Sequence, residues 1–75
     1  MKPKTTTRLV YEAGMQIIAD KDARGTLNPV ATDAEIADTL RMPRMQVAFE
    51  FGRISMYDVA RIGETINGFY IAKKD

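Results

Sequence analysis

The chain's 75 residues allow one small domain, so a single compact core must supply nearly all of its stability. Hydrophobic residues at 45% and charged residues at 28%, the latter spread along the chain, describe an ordered globular protein. With no cysteine and no histidine, disulfides and thiolate metal sites are excluded, and the commonest general base and commonest metal ligand are both missing. The expectation is a protein that is not an enzyme and needs no cofactor or metal.

The opening MKPKTTTR carries Lys2, Lys4 and Arg8 and has no apolar stretch behind it of the kind an export signal needs. Residues 1–6 read as a flexible basic arm, and the expected compartment is the cytoplasm, since no apolar run approaches the ~18 residues of a membrane span. From Thr7 to Ala19 the residues Leu9, Val10, Ala13, Ile17 and Ile18 recur at helical spacing, with Tyr11 and Met15 on the flanks. The stretch DKDARGTLNPVA then reads as a loop, punctuated by Gly25 and Asn28-Pro29 and ending in a short extended piece at Val30. Asp20, Asp22 and Gly25 have the spacing of a calcium loop, but Ala31 stands where its closing glutamate belongs, so a solvated turn is expected.

Thr32 and Glu35 form the Thr-x-x-Glu capping box of a helix running from Asp33 to about Leu40, with Ile36, Ala37 and Leu40 on one face. Arg41-Met42 breaks that helix, and Pro43 opens the next, which carries on to about Ile54. Ser55 and Asp58 offer a further capping box, so Met56 to Ile62 reads as a short fourth helix or as the entry to a strand. Asn67-Gly68 is the favoured two-residue hairpin turn between segments rich in Ile, Thr, Phe and Tyr. The fold class expected is mainly α with a C-terminal β-hairpin, as one domain over residues 1–75.

Asp33 to Gly52 resembles the helix-turn-helix family. Ala37 takes the place where the helices cross, Ile36, Leu40 and Met42 bracket the turn, and Val47 sits inside the second helix. Two helices meeting at ~90 to 120° over a short turn need little bulk at the crossing and a shared apolar wedge beneath. With the N-terminal helix and the hairpin added, the resemblance implies a compact winged helix of three or four helices. Arg41 departs from the family pattern, which most often has glycine in the turn.

The resemblance implies a transcription regulator that binds double-stranded DNA through exposed residues early in the second helix of the motif. Arg44, Gln46 and Arg53 are the candidates there, with Glu50 close enough to repel phosphate, and the wing would bring Lys73, Lys74 and the Asn67-Gly68 tip near the DNA backbone. Against this stand 11 basic and 10 acidic residues, a net charge of only +1. If Val47, Phe51 and Ile54 turn inward, rotation by 100° per residue puts Met45 and Phe49 almost opposite them. The bland expectation packs Met45 and Phe49 between the first helix and the hairpin, with Tyr57 and Tyr70 also packing. In the other reading Met45 and Phe49, with Lys2, Lys4 and Arg8, meet a protein partner such as bacterial RNA polymerase. In size and economy the chain is similar to small phage-encoded regulators of that kind.

Overall fold

The computed structural model describes residues 5–74, so Lys2 and Lys4 lie outside the described residues. In chain order the elements are α1 (Thr6–Ala23), β1 (Val30–Thr32), α2 (Asp33–Leu40), α3 (Arg44–Met56), β2 (Ala60–Thr65) and β3 (Gly68–Lys73). The strands form one antiparallel sheet in the order β1-β3-β2. The extended piece expected at Val30 is therefore an edge strand, with Val30 opposite Ala72 and Thr32 opposite Tyr70.

No helix forms over Met56–Ile62. Instead α3 runs through Ser55 to Met56, Asp58 turns the chain at φ 55, and Ala60 already pairs with Lys73. Ile62 pairs with Ile71, so this segment gains more by joining the sheet than Ser55 gains by capping a short helix.

The Thr5 hydroxyl accepts from the Arg8 amide at 3.1 Å and starts α1, which continues past Ala19, so Asp20–Ala23 is helical rather than loop. The face it buries is Val10, Gly14 and Ile18, each four residues from the next, while Leu9 stays 40% exposed and does not join the core as expected. Gly14 sits where α1 crosses the sheet: a Cβ built there would lie 2.4 Å from Ile71 Cδ1 and 3.1 Å from Ile36 Cδ1. Phe51, Ile36, Ile54, Ile71, Val10 and Val47 are fully buried around this crossing and belong to one cluster.

The capping box of α2 is formed in both directions, Thr32 Oγ1 accepting from the Glu35 amide at 3.1 Å and Glu35 Oε1 accepting from the Thr32 amide at 3.0 Å. The same carboxylate accepts from Lys21 Nζ at 2.8 Å, which also donates to the Val30 carbonyl at 2.8 Å and ties α1 to the start of β1. Partial burial pushes the Glu35 carboxyl up, but the Lys21 and Thr32 hydrogen bonds and the Lys21 charge outweigh it and hold the group below its ordinary range. A carboxyl depressed in the folded state contributes stability that is present above its unfolded pKa and lost as pH falls through the folded one. Glu35→Gln is accordingly expected to lower the melting temperature at neutral pH and to flatten the loss of stability on acidification, as followed by circular dichroism.

The turn between α2 and α3 closes on Ala37: its carbonyl accepts from the Met42 amide at 3.1 Å, the 6→1 bond of a Schellman ending. Arg41 occupies the left-handed position at φ 55, ψ 50, which glycine adopts without strain and arginine does not. Pro43 serves as the N-cap of α3, one place before the position expected. Among the described residues, no helix is long and apolar enough to cross a membrane.

Candidate functional site

Helix α3 buries Val47, Glu50, Phe51 and Ile54 against α1, α2 and the sheet. Its other side carries Met45, 85% exposed, Phe49, 62% exposed, and Met56, 84% exposed, with Gly52 and Arg53 among them. The expectation that Met45 and Phe49 pack beneath the hairpin is thus corrected. Strand β3 pairs with β1, and this holds the sheet on the inward side of α3 and leaves the outer side uncovered.

The guanidinium of Arg53 lies over the Phe49 ring at 5.1 Å from its centroid, a cation–π contact that presents the charge and the ring together. A Cβ on Gly52 would meet nothing within 4 Å, so packing gives no reason for glycine in mid-helix, where it costs ~1 kcal/mol relative to alanine. Gln46 is exposed on the first turn beside Met45. Glu50, expected near phosphate, is instead buried and accepts a hydrogen bond from the Thr7 hydroxyl, linking α3 to the first turn of α1.

Arg44 is on the same first turn but is tied back to the protein. Its Nε donates to Asp33 Oδ1 at 2.9 Å and its Nη2 to the Asn67 carbonyl at 2.8 Å. Asp33, 2% exposed, also accepts from the Ala34 amide at 2.7 Å and, through Oδ2, from the Phe69 amide at 3.3 Å. One buried carboxylate and one half-exposed guanidinium therefore join the start of α2, the start of α3 and the hairpin tip. For Arg44 to read a base it would first have to give up these bonds.

This junction also explains the hairpin. Thr65 pairs with Gly68, so the two turn residues are Ile66 and Asn67, not Asn67 and Gly68. Among the described residues, positive φ occurs at Asn28, Arg41, Asp58 and Gly25, so neither residue of the tip has the backbone that a type I′ turn needs. Gly68 is needed for clearance: a Cβ there would lie 2.5 Å from Asp33 Oδ2 and 2.6 Å from Arg44 Nη2.

The five residues proposed for DNA are not brought together. Lys73 lies opposite Ala60, at the end of the hairpin away from the tip and about 17 Å along the strand from Gly68. Lys74 is held to Asp58 by an ion pair and by a 3.0 Å bond from its Nζ to the Asp58 carbonyl. Arg53 is at their end of α3, about 13 Å along the helix from Arg44. Arg8 is in the first turn of α1, its Nε 3.4 Å from Glu12 Oε1. Tyr57 is 71% exposed rather than packed, whereas Tyr70 is half-buried, its ring lying where a Gly63 side chain would be.

Two contributors went unread in the sequence. Asp33 looks like an ordinary acidic first-turn residue, and nothing local signals a partner across the fold. In the sequence Arg41 reads only as a misfit in the turn, yet its left-handed backbone holds an exposed cation just before α3. Comparison of the chain with known protein families, curated proteins and solved structures found no match.

Proposed function

We propose that the chain is a winged helix-turn-helix regulator of transcription that lays the outer face of α3 in the major groove of duplex DNA. The uncovered outer face of α3 carries this reading. Ala37 in the α2–α3 pair, the Schellman turn through Arg41 and the inward Val47 support the helix-turn-helix, and strands β2 and β3 would serve as its wing. Met45 and Phe49 suit the methyl groups of thymine, Gln46 can pair with an adenine edge, and Arg53 and Arg41 are the cations available to phosphate. So few phosphate contacts imply a shallow salt dependence, with log K falling against log salt with a slope of about −2. Duplexes enriched from a random library, measured by fluorescence anisotropy, should bind at least about tenfold more weakly to Gln46→Ala combined with Arg53→Ala. Arg44 is left intact because its removal would disturb the fold. Failure to enrich any duplex, or binding indifferent to these changes, would sink the DNA reading.

The exposure of Met45, Phe49 and Met56 favours a second reading, in which the same face captures a protein of the transcription apparatus such as bacterial RNA polymerase. Met45→Ser with Phe49→Ser should then leave folding intact and abolish capture from nuclease-treated bacterial lysate. Under either reading Gly52 has its use at the contact. Gly52→Ala is expected to stabilise the fold by about 0.5 to 1 kcal/mol in thermal unfolding and to weaken partner binding, because the new methyl group stands on the face that must be approached.

A further inference from the structure

A second surface lies beside α1 and meets the outer face of α3 at Arg53. Two hollows, of about 600 and about 510 Å³, open beside α1 and adjoin at Tyr11 and Val59, which line both, making a groove of two parts. It follows α1 from Thr5 and Thr7 at one end to Asp22 at the other. The span from Thr7 to Asp22 is about 22 Å along the helix axis, the length of about fifteen residues of a second helix. Tyr11, Met15, Ile18 and Val59 make an apolar floor, and Tyr57 stands exposed at one side.

The charge around this floor is one-sided. Arg8, Arg53, Arg61, Lys73 and Lys74 line the groove, and Asp22 is the carboxylate among its lining residues. Glu12 and Asp58 partly neutralise Arg8 and Lys74. Among the described residues no ion pair engages Arg61 or Lys73. Arg61 and Lys73 thus leave unbalanced positive charge beside an apolar trough. Phosphate would be drawn to the cations and would gain nothing from the floor. A helix with leucine-like residues on one face and carboxylates flanking them satisfies both.

We propose that this groove docks an acidic amphipathic helix of a partner protein, with its apolar face on Tyr11, Met15 and Val59 and its carboxylates on Arg61 and Lys73. The probe is a fluorescein-labelled synthetic peptide of about eighteen residues, apolar at helical i, i+3, i+4 and i+7 positions and glutamate elsewhere. The full chain is titrated against it by anisotropy. A peptide of the same apolar pattern with lysine for glutamate, and a duplex oligonucleotide as competitor, run alongside. The acidic peptide is expected to bind and the basic one not. Arg61→Glu with Lys73→Glu, both exposed, should weaken binding at least about tenfold without moving the melting temperature, and Val59→Asp should do the same. Amide shifts on peptide addition should map to Tyr11, Val59, Arg61 and Lys73 and spare Met45. Equal binding of the basic peptide, displacement of the acidic peptide by the duplex, shifts centred on Met45 and Phe49, or no binding at about 1 mM peptide would overturn the proposal.

Discussion

Asp33→Ala is expected to cost about 3 kcal/mol of folding stability, because it breaks a buried carboxylate out of a charged hydrogen-bonded junction. For a domain of this size that lowers the melting temperature by about 12 to 24 °C. The loss has two parts. The Ala34 and Phe69 amides, bonded to Asp33 at 2.7 and 3.3 Å, lose their acceptor, and the hairpin tip loses its tie to α2. Arg44 loses its partner but is 44% exposed and turns to water, so its own share is screened and small. Arg44→Met approaches the junction from the other side and leaves the buried carboxylate with backbone donors alone, a cost of about 2 kcal/mol. The double variant should cost clearly less than the two single changes together, since both disrupt one interaction. Urea unfolding with an unchanged m-value would check all three; single changes that add without coupling would show that the junction does not act as a unit.

The second large effect is at Gly14. Gly14→Val puts a branched side chain where even a Cβ would stand 2.4 Å from Ile71 Cδ1, and Ile71 is fully buried on the central strand with nowhere to withdraw. Overpacking of this kind should cost about 3 kcal/mol. Gly14→Ala is milder, because alanine's better helix propensity returns up to ~1 kcal/mol of the steric cost. The size of that smaller change should depend mostly on Ile71 Cδ1, the nearest of the three atoms a Cβ would crowd. In an Ile71→Val background the clashing Cδ1 is gone and the 3.1 Å approaches of Ile36 Cδ1 and of Cγ1 at position 71 remain, so Gly14→Ala is expected to cost clearly less than in the parent protein. Thermal unfolding of the four proteins in that cycle gives the coupling directly. Equal effects of Gly14→Ala in both backgrounds would mean that α1 shifts as a whole and that no local clash exists.

Much of the fold could be read along the chain because its signals are short-range. The Thr32–Glu35 capping box and the stop at Arg41 place α2, and the spacing of Val47, Phe51 and Ile54 gives the buried side of α3. The same rotation put Met45 and Phe49 on the opposite side; what it did not show was whether anything covers them. That depended on where β3 goes, and its pairing with β1 spans some forty residues of sequence. The junction of Asp33, Arg44 and Asn67 was hidden for the same reason. Glu50 misleads because a carboxylate on a helix is usually solvated, and the Thr7 hydroxyl that donates to it in the interior is on α1. Asn67-Gly68 misled in another way: the pair does mark the hairpin, but the glycine is there for clearance beside Asp33 and not for a positive φ. Lys73 and Lys74 were placed with the tip because both belong to the hairpin, although a strand's two ends are far apart.

The position of β3 has a bearing on how the molecule is made. It is the last of the six elements in chain order, and it is the strand that lies between the other two. During synthesis β1 and β2 emerge first with no neighbour to pair with, and they stay unpaired until Gly68–Lys73 follows. The nascent chain therefore holds two open strand edges until Gly68–Lys73 leaves the ribosome, and the sheet then forms in a single closing step.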